Sequence, residues 1–264
     1  MATLDTIGRG TIGVFAYVGG LARLAGRAAY YVFVAPFKGR PLRVERALHQ
    51  AMAVGVEALP IVSLITFFVG LILALNGAYE LRKFGAMQFV ASAVAISMTR
   101  ELGPLMTAIV VIGRSGSAFA AEIGTMKVTE EIDALETMAL QPIQFLVTPK
   151  FLAMLIMMPC LTTWADFMGV CGGAVFGITN ADFTFTGYFK ATLDALYQRD
   201  IFTGLIKSVM FGITITAVGC YEGFSTGGGA EQVGRSTTSA VVMSIFLVII
   251  VDVIFTALFY FTGS

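Results

Sequence analysis

Apolar positions run almost unbroken in five places along the chain, at about residues 54–76, 88–112, 151–179, 201–221 and 238–261. Each run matches the ~20 residues that a helix needs to cross a bilayer core. Polar stretches separate them at 77–84, 114–150, 180–200 and 222–235. The pattern predicts an all-α integral membrane protein with five transmembrane helices. The interruptions inside the runs are few. Glu57 and Pro60 fall near the start of the first, where the interface tolerates both. The second carries Arg100, Glu101, Gly103 and Pro104, and the proline removes a backbone hydrogen bond just after the two charges. The third contains Pro159, Asp166 and the small residues Gly169, Gly172 and Gly173, which favour close helix approach. Lys207 lies near the outer end of the fourth, and Asp252 within the fifth.

Two further stretches have one apolar side only. Over 11–35, Arg23 and Arg27 stand four apart on one helical face, while Val14, Val18, Leu21, Ala25 and Val32 populate another. A helix lying in the membrane interface satisfies both faces. Pro36 and Pro41 are expected to end it, with Lys38 and Arg40 between them at headgroup level, and a short amphipathic segment follows at about 42–51. Residues 1–53 thus read as an interfacial segment and 54–264 as the five-span domain. The second one-sided stretch is 122–138, where Ile123, Met126, Ile132, Leu135 and Met138 supply an apolar side and Glu130, Glu131, Asp133 and Glu136 face elsewhere. Gln141-Pro142 closes it. Residues 114–150 as a whole are too polar for lipid, so the apolar side of this helix suggests docking into a groove on a cytoplasmic partner. A merely solvated helix is the plainer alternative.

Composition strengthens the membrane reading: 57% of residues are hydrophobic, 13% are charged, and the mean hydropathy is +0.84. Basic and acidic residues both total 17, which points to no nucleic-acid partner. Their distribution is uneven. Before Gln50 there are seven basic residues against Asp5 and Glu45, which puts the N-terminus in the cytoplasm by the positive-inside rule. Five spans then leave the C-terminus outside. The opening residues lack a charged region followed by a compact apolar stretch and cleavage site, so no removable signal peptide is expected. Cys160, Cys171 and Cys220 sit in apolar runs without metal-type spacing and read as packing residues.

Charges at membrane depth cost at least ~2.5 kcal/mol each and call for named partners. Arg100 and Glu101 are adjacent, so they project about 100° apart on a helix. They either join helices through residues such as Asp166 or Asp252, or form a polar cavity wall in which arginine offers a planar fork to phosphate. Arg235 carries the same two readings, whereas Asp252 alone favours a structural role. The run Gly227-Gly228-Gly229 invites comparison with a phosphate loop, but none of the six lysines follows a glycine and no Gly-x-x-x-x-Gly-Lys-Ser/Thr exists. Those glycines read as a hinge or a close-packing site. The one histidine, His49, reads as a surface or interface residue. Neither a Gly-x-Ser-x-Gly elbow nor a His-Glu-x-x-His pair is present to mark a hydrolase or metal site.

Several ordered blocks resemble the MlaE/YrbE family of permease subunits, the membrane component of lipid-transporting ABC systems that work with MCE-domain proteins. They are Arg100-Glu-Leu-Gly-Pro104, Gly113-Arg-Ser-Gly-Ser-Ala118, Ala121-Glu-Ile-Gly124, Met126 with Thr129-Glu130, Leu135-Glu-Thr-Met138, and Gly234-Arg-Ser-Thr-Thr238 with Ala240-Val-Val and Asp252. The match runs from about Val54 to Thr256; the first 50 residues match in character only. The resemblance implies a homodimer in a bacterial inner membrane, each subunit having an N-terminal interfacial elbow helix and a cytoplasmic coupling helix between spans 2 and 3. That helix, about 122–138, would rest on an MlaF-type ATPase through Glu122, Met126, Glu130, Glu131, Leu135 and Met138. ATP and Mg would be bound by that partner and no cofactor by this chain. An MlaD-type MCE hexamer would cap the dimer on the periplasmic side, and an MlaB-type STAS protein would regulate the ATPase. Phospholipid would occupy a cavity bearing Arg100, Glu101 and Arg235 and move between inner and outer membranes.

A different class, an ion- or proton-coupled secondary transporter, would use Glu101, Asp166 or Asp252 as a relay. It usually shows repeated halves, and none is visible. A lipid-modifying membrane enzyme would need a nucleophile or metal site that the sequence does not display.

Overall fold

The computed structural model describes residues 2–35, 44–180 and 184–262, and among these the chain is helical without a strand. Helix α1 (Ala2–Phe33) precedes α2 (Val44–Val54) and α3 (Leu59–Lys83). The next run combines α4 (Val90–Ser97), α5 (Gly103–Val111) and α6 (Ser117–Val128), with a π-helical turn at each junction, Met98–Leu102 and Ile112–Gly116. Then come the short α7 (Glu131–Thr137), α8 (Thr148–Asn180), α9 (Phe185–Ala195), α10 (Gln198–Phe224) and α11 (Ala230–Phe261). Among the described residues, five helical runs are long and apolar enough to cross a membrane: Val44–Lys83, Met87–Val128, Ile143–Thr179, Gln198–Phe224 and Ala230–Phe261. The predicted five-span, all-α membrane architecture holds.

Helix α8 is the central element, packing against α3, α10 and α2, while α10 also contacts α11 and α6. The main core gathers Val62 from α3, Ala108 and Val111 from α5, Met154, Met158 and Leu161 from α8, and Phe211 and Ile215 from α10. Glycine permits the tightest contact. A Cβ on Gly70 would strike the backbone carbonyl of Gly169, and one on Gly172 would strike that of Phe67, so α3 and α8 touch backbone to backbone. Tyr188 of α9 fills the space left by Gly173 and Gly177 at one end of α8. At the other end, Leu24, Ala28 and Val32 of α1 pack with Ile123, Ile132, Leu135 and Phe151 in a second cluster.

Several boundaries differ from those the polarity pattern predicts. The second span continues to Val128 because its charges find partners: Arg114 donates to the Ala53 carbonyl at 2.7 Å and pairs with Glu57, and Lys150 donates to Glu122 at 2.5 Å. The glycine-rich loop shrinks to 225–229, which puts Gly234 and Arg235 inside α11. The helix expected over 122–138 is two helices. Glu130 adopts a left-handed conformation (φ 60°) between α6 and α7 and breaks the run. Its apolar side is also accounted for, since Ile123, Ile132 and Leu135 are buried in the protein's own core. The side left outward is acidic, with Glu130, Glu131, Asp133 and Glu136 exposed and Met138 62% exposed. Helix α1 begins before residue 11; Leu21 and Val32 face inward while Arg23, Arg27 and Val18 face out. The stop expected at Pro36–Pro41, with Lys38 and Arg40, lies outside the described residues. Gly169, Gly172 and Gly173 do sit at close helix contacts, as their spacing predicts.

Candidate functional site

Arg100 and Glu101 occupy the π-helical turn Met98–Leu102. Pro104, two positions past its end, has no N–H to donate, so α-helical pairing cannot run unbroken through this stretch and the turn widens. The two side chains diverge to different partners. Arg100 pairs with Asp200, which is 1% exposed and also accepts the backbone N–H of Tyr197 at 3.0 Å. That closes the start of α10 with a capping box and ties it to the second span. Glu101 accepts from Lys207 Nζ at 2.5 Å and from Thr256 Oγ1 at 3.0 Å. Lys207 Nζ in turn donates to Thr256 Oγ1 at 2.7 Å and lies 3.0 Å from Asp252 Oδ1.

One ammonium group, 2% exposed, is thus held between carboxylates of the second and fifth spans by a lysine of the fourth. Burial of any of these charges alone is expensive, and the arrangement survives because every one has an opposite partner. Arg100 and Glu101 keep 45% and 39% of their side-chain surface open. They line a cavity of about 200 Å³ together with Thr203, Lys207, Thr256 and Tyr260. A guanidinium fork beside a carboxylate, within an apolar bundle, can engage a zwitterionic or phosphate-bearing group. Asp166 does not join this cluster. It lies on α8 against Gly103, with its buried Oδ1 lacking a hydrogen-bond partner among the described residues.

Arg235 stands apart from Arg100 and Glu101. It sits in the second turn of α11, 3.7 Å from Glu231, on a separate open cavity of about 600 Å³ lined by Thr238, Ser239 and Met243. Thr256 is 21 residues further along the same helix, which separates the two places by about 30 Å at 1.5 Å per residue. Within one chain, the three residues expected around a single cavity lie near opposite ends of the span.

The residues expected to dock on a partner divide as well. Glu122 pairs with Lys150, whose ammonium also lies 4.8 Å from the ring centroid of Phe119, and Leu135 is core. Met126 packs partly against that core, while Glu130, Glu131 and Met138 are exposed. Asp133 is engaged by Lys127 at 2.9 Å. Tyr17 of α1 donates to Glu222 at 2.7 Å; burial and that carboxylate push its phenol well above the usual range. Sequence reasoning missed Lys207 and Asp200 as the partners of Glu101 and Arg100. The available signal was a lysine inside an apolar span, which a bilayer admits only with a counter-charge. No cluster of metal-ligating side chains and no disulfide occurs among the described residues.

The family model described as Permease MlaE matches residues 47–258. A probable ABC transporter permease protein of Rickettsia prowazekii is 43% identical over 220 residues, covering 83% of this chain and 85% of that protein. The intermembrane phospholipid transport system permease protein MlaE of Haemophilus influenzae is 33% identical over 244 residues, 91% of this chain and 94% of that protein. The chloroplastic protein TRIGALACTOSYLDIACYLGLYCEROL 1 of Arabidopsis thaliana is 36% identical over 217 residues, 82% of this chain and 62% of that protein. With four-fifths of its length matched by the family model and its span architecture as that resemblance implies, this chain belongs to the MlaE permease family.

Proposed function

We propose that the chain is the membrane subunit of an ATP-driven transporter that moves phospholipid between the inner and outer membranes of a bacterium. The observation that carries this reading is the meeting of Arg100, Glu101 and Lys207 at one cavity inside an apolar bundle. Such a site suits a lipid, whose headgroup needs polar partners and whose acyl chains need none. The name of the Haemophilus influenzae relative, an intermembrane phospholipid transport permease, supports the choice of cargo. Arg100 and Glu101 orient the headgroup, and Arg235 makes a separate contact near the other end of the span. Two copies of the chain complete the cavity in the inner membrane, with the basic N-terminal region in the cytoplasm and the C-terminus in the periplasm.

ATP and Mg are bound by a separate MlaF-type ATPase, and this chain contributes no nucleotide site or cofactor. The ATPase rests on the exposed acidic edge at Glu130 and Glu131 with Met138. Glu122, Met126 and Leu135 act from behind by fixing α6 and α7 to the bundle. An MlaD-type MCE hexamer receives the lipid, and an MlaB-type STAS protein regulates the ATPase. Purification of the tagged protein from its native host in mild detergent, with proteins and lipids identified by mass spectrometry, tests the assembly. Recovery of an ATPase, an MCE protein and phospholipid is expected, with the ATPase lost when the acidic edge is altered. Recovery of the chain alone and lipid-free would contradict it. The buried Oδ1 of Asp166, without a hydrogen-bond partner among the described residues, favours a second reading, a proton-coupled transporter, which predicts transport driven by a membrane gradient without any ATPase.

A further inference from the structure

A cavity of about 910 Å³, separate from the charged cluster, opens between α1, the α7 region and the end of α10. Its charged lining is mainly cationic. Arg23 and Arg27 of α1 and Lys127 of α6 line it, against one carboxylate, Glu136. Lys127 is already paired with Asp133. The arginines are not matched: Arg23 donates Nε to the Gly19 carbonyl at 3.1 Å, and neither arginine has an ion pair among the described residues. Standing four apart on one helix they repel each other, which an anion between them would relieve. The rest of the wall mixes apolar Leu24, Leu140 and Phe224 with the neutral polar residues Gln141, Tyr221 and Ser225. Outside the cavity, α1 exposes Phe15, Val18 and Phe33, the kind of surface that sits among acyl chains at an interface.

We propose that this cavity binds the headgroup of an anionic phospholipid from the surrounding leaflet, with Arg23 and Arg27 on the phosphate and Leu24 and Phe224 against the glycerol and upper acyl region. Basic pockets at the cytoplasmic side of membrane helices suit anionic headgroups, and a zwitterionic lipid would leave the arginines without net compensation. The site is separate from the Lys207 cavity, and only its assignment to the cytoplasmic leaflet rests on the orientation proposed above. Because the cavity joins α1 to α6, α7 and α10, a lipid bound here would hold α1 against the acidic edge.

The test uses the full chain in non-ionic detergent with equimolar phosphatidylglycerol and phosphatidylcholine, and native mass spectrometry to count retained lipid. At about five-fold per arginine, wild type should prefer phosphatidylglycerol by about 25-fold, and Arg23→Gln/Arg27→Gln should bring the two lipids within about two-fold. Both side chains are exposed, so the variant should fold. Independently of any variant, the wild-type preference should fall as salt is raised. Arg82→Gln, at an exposed arginine outside both cavities, should leave it intact, which shows that position and not total charge sets the preference. Equal retention by wild type, a preference indifferent to salt or to the arginines at 23 and 27, or its loss in Arg82→Gln would overturn the proposal. Displacement of the lipid by equimolar glycerol phosphate would instead identify a soluble phosphate site and overturn the lipid assignment.

Discussion

Lys207 lies between Glu101 and Asp252, and removing it has a different consequence from removing all three charges. Lys207→Met leaves two partly exposed carboxylates without their shared buried cation, and should cost about 3 kcal/mol, the low end for a broken buried pair. Thermal unfolding in detergent should show that loss, and the triple change Glu101→Gln/Lys207→Met/Asp252→Asn should recover most of it. Equal loss in both proteins would mean that the lysine acts through packing rather than charge. A second residue-scale outcome concerns Ala139, which adopts a left-handed conformation (φ 57°) after α7. Glycine carries no Cβ penalty there, so Ala139→Gly should stabilise by about 1 kcal/mol, read as a higher melting temperature. The sequence made Arg100 and Glu101 visible, because two charges in an apolar run stand out. Their partners were not visible, because Asp200 and Lys207 lie a hundred residues away and nothing local reports which charge they meet.

At the scale of elements, the same limit explains the helix expected over 122–138. An apolar side at helical spacing reports only that something covers it. Here the cover is the chain's own core at Ile132 and Leu135, and the sequence pattern is the same as for a partner's groove. The backbone break at Glu130 was also hidden, since glutamate is an ordinary helix former. What stays exposed on this stretch is the charged edge, to which we assign the contact with the ATPase. Replacing Glu130 and Glu131 by lysine should therefore abolish coupling of ATP hydrolysis to transport while changing stability by no more than about 0.5 kcal/mol, as is usual for surface substitutions. Retained coupling would count against the docking edge. The glycine pattern, by contrast, was legible, because small residues in a membrane span point to close approach. Gly70→Val should drive α3 away from α8 by striking the Gly169 carbonyl, at a cost of about 3 kcal/mol, measured by unfolding or by loss of folded yield.

For the whole molecule, length and hydropathy alone determine five crossings, and the helical runs follow them closely. The two-sided character of the N-terminal helix was legible for a related reason: Arg23 and Arg27 face outward, at the rim of the basic cavity, while Leu24 and Ala28 beside them pack inward. The ends of the crossings were less legible, because Arg114, Glu122 and Lys150 gain partners that let helices extend beyond the apolar runs. The separation of Arg235 from Arg100 could not be read without knowing where α11 begins. Transport itself is a property of the assembly. The most direct measurement is movement of a fluorescent phospholipid out of proteoliposomes holding the complex purified from its host, with ATP or with an imposed proton gradient as the energy source. The account predicts movement that requires ATP and the partner ATPase, ignores the gradient, and is lost when Glu130 and Glu131 become lysine. Movement driven by the gradient with no ATPase present would contradict it.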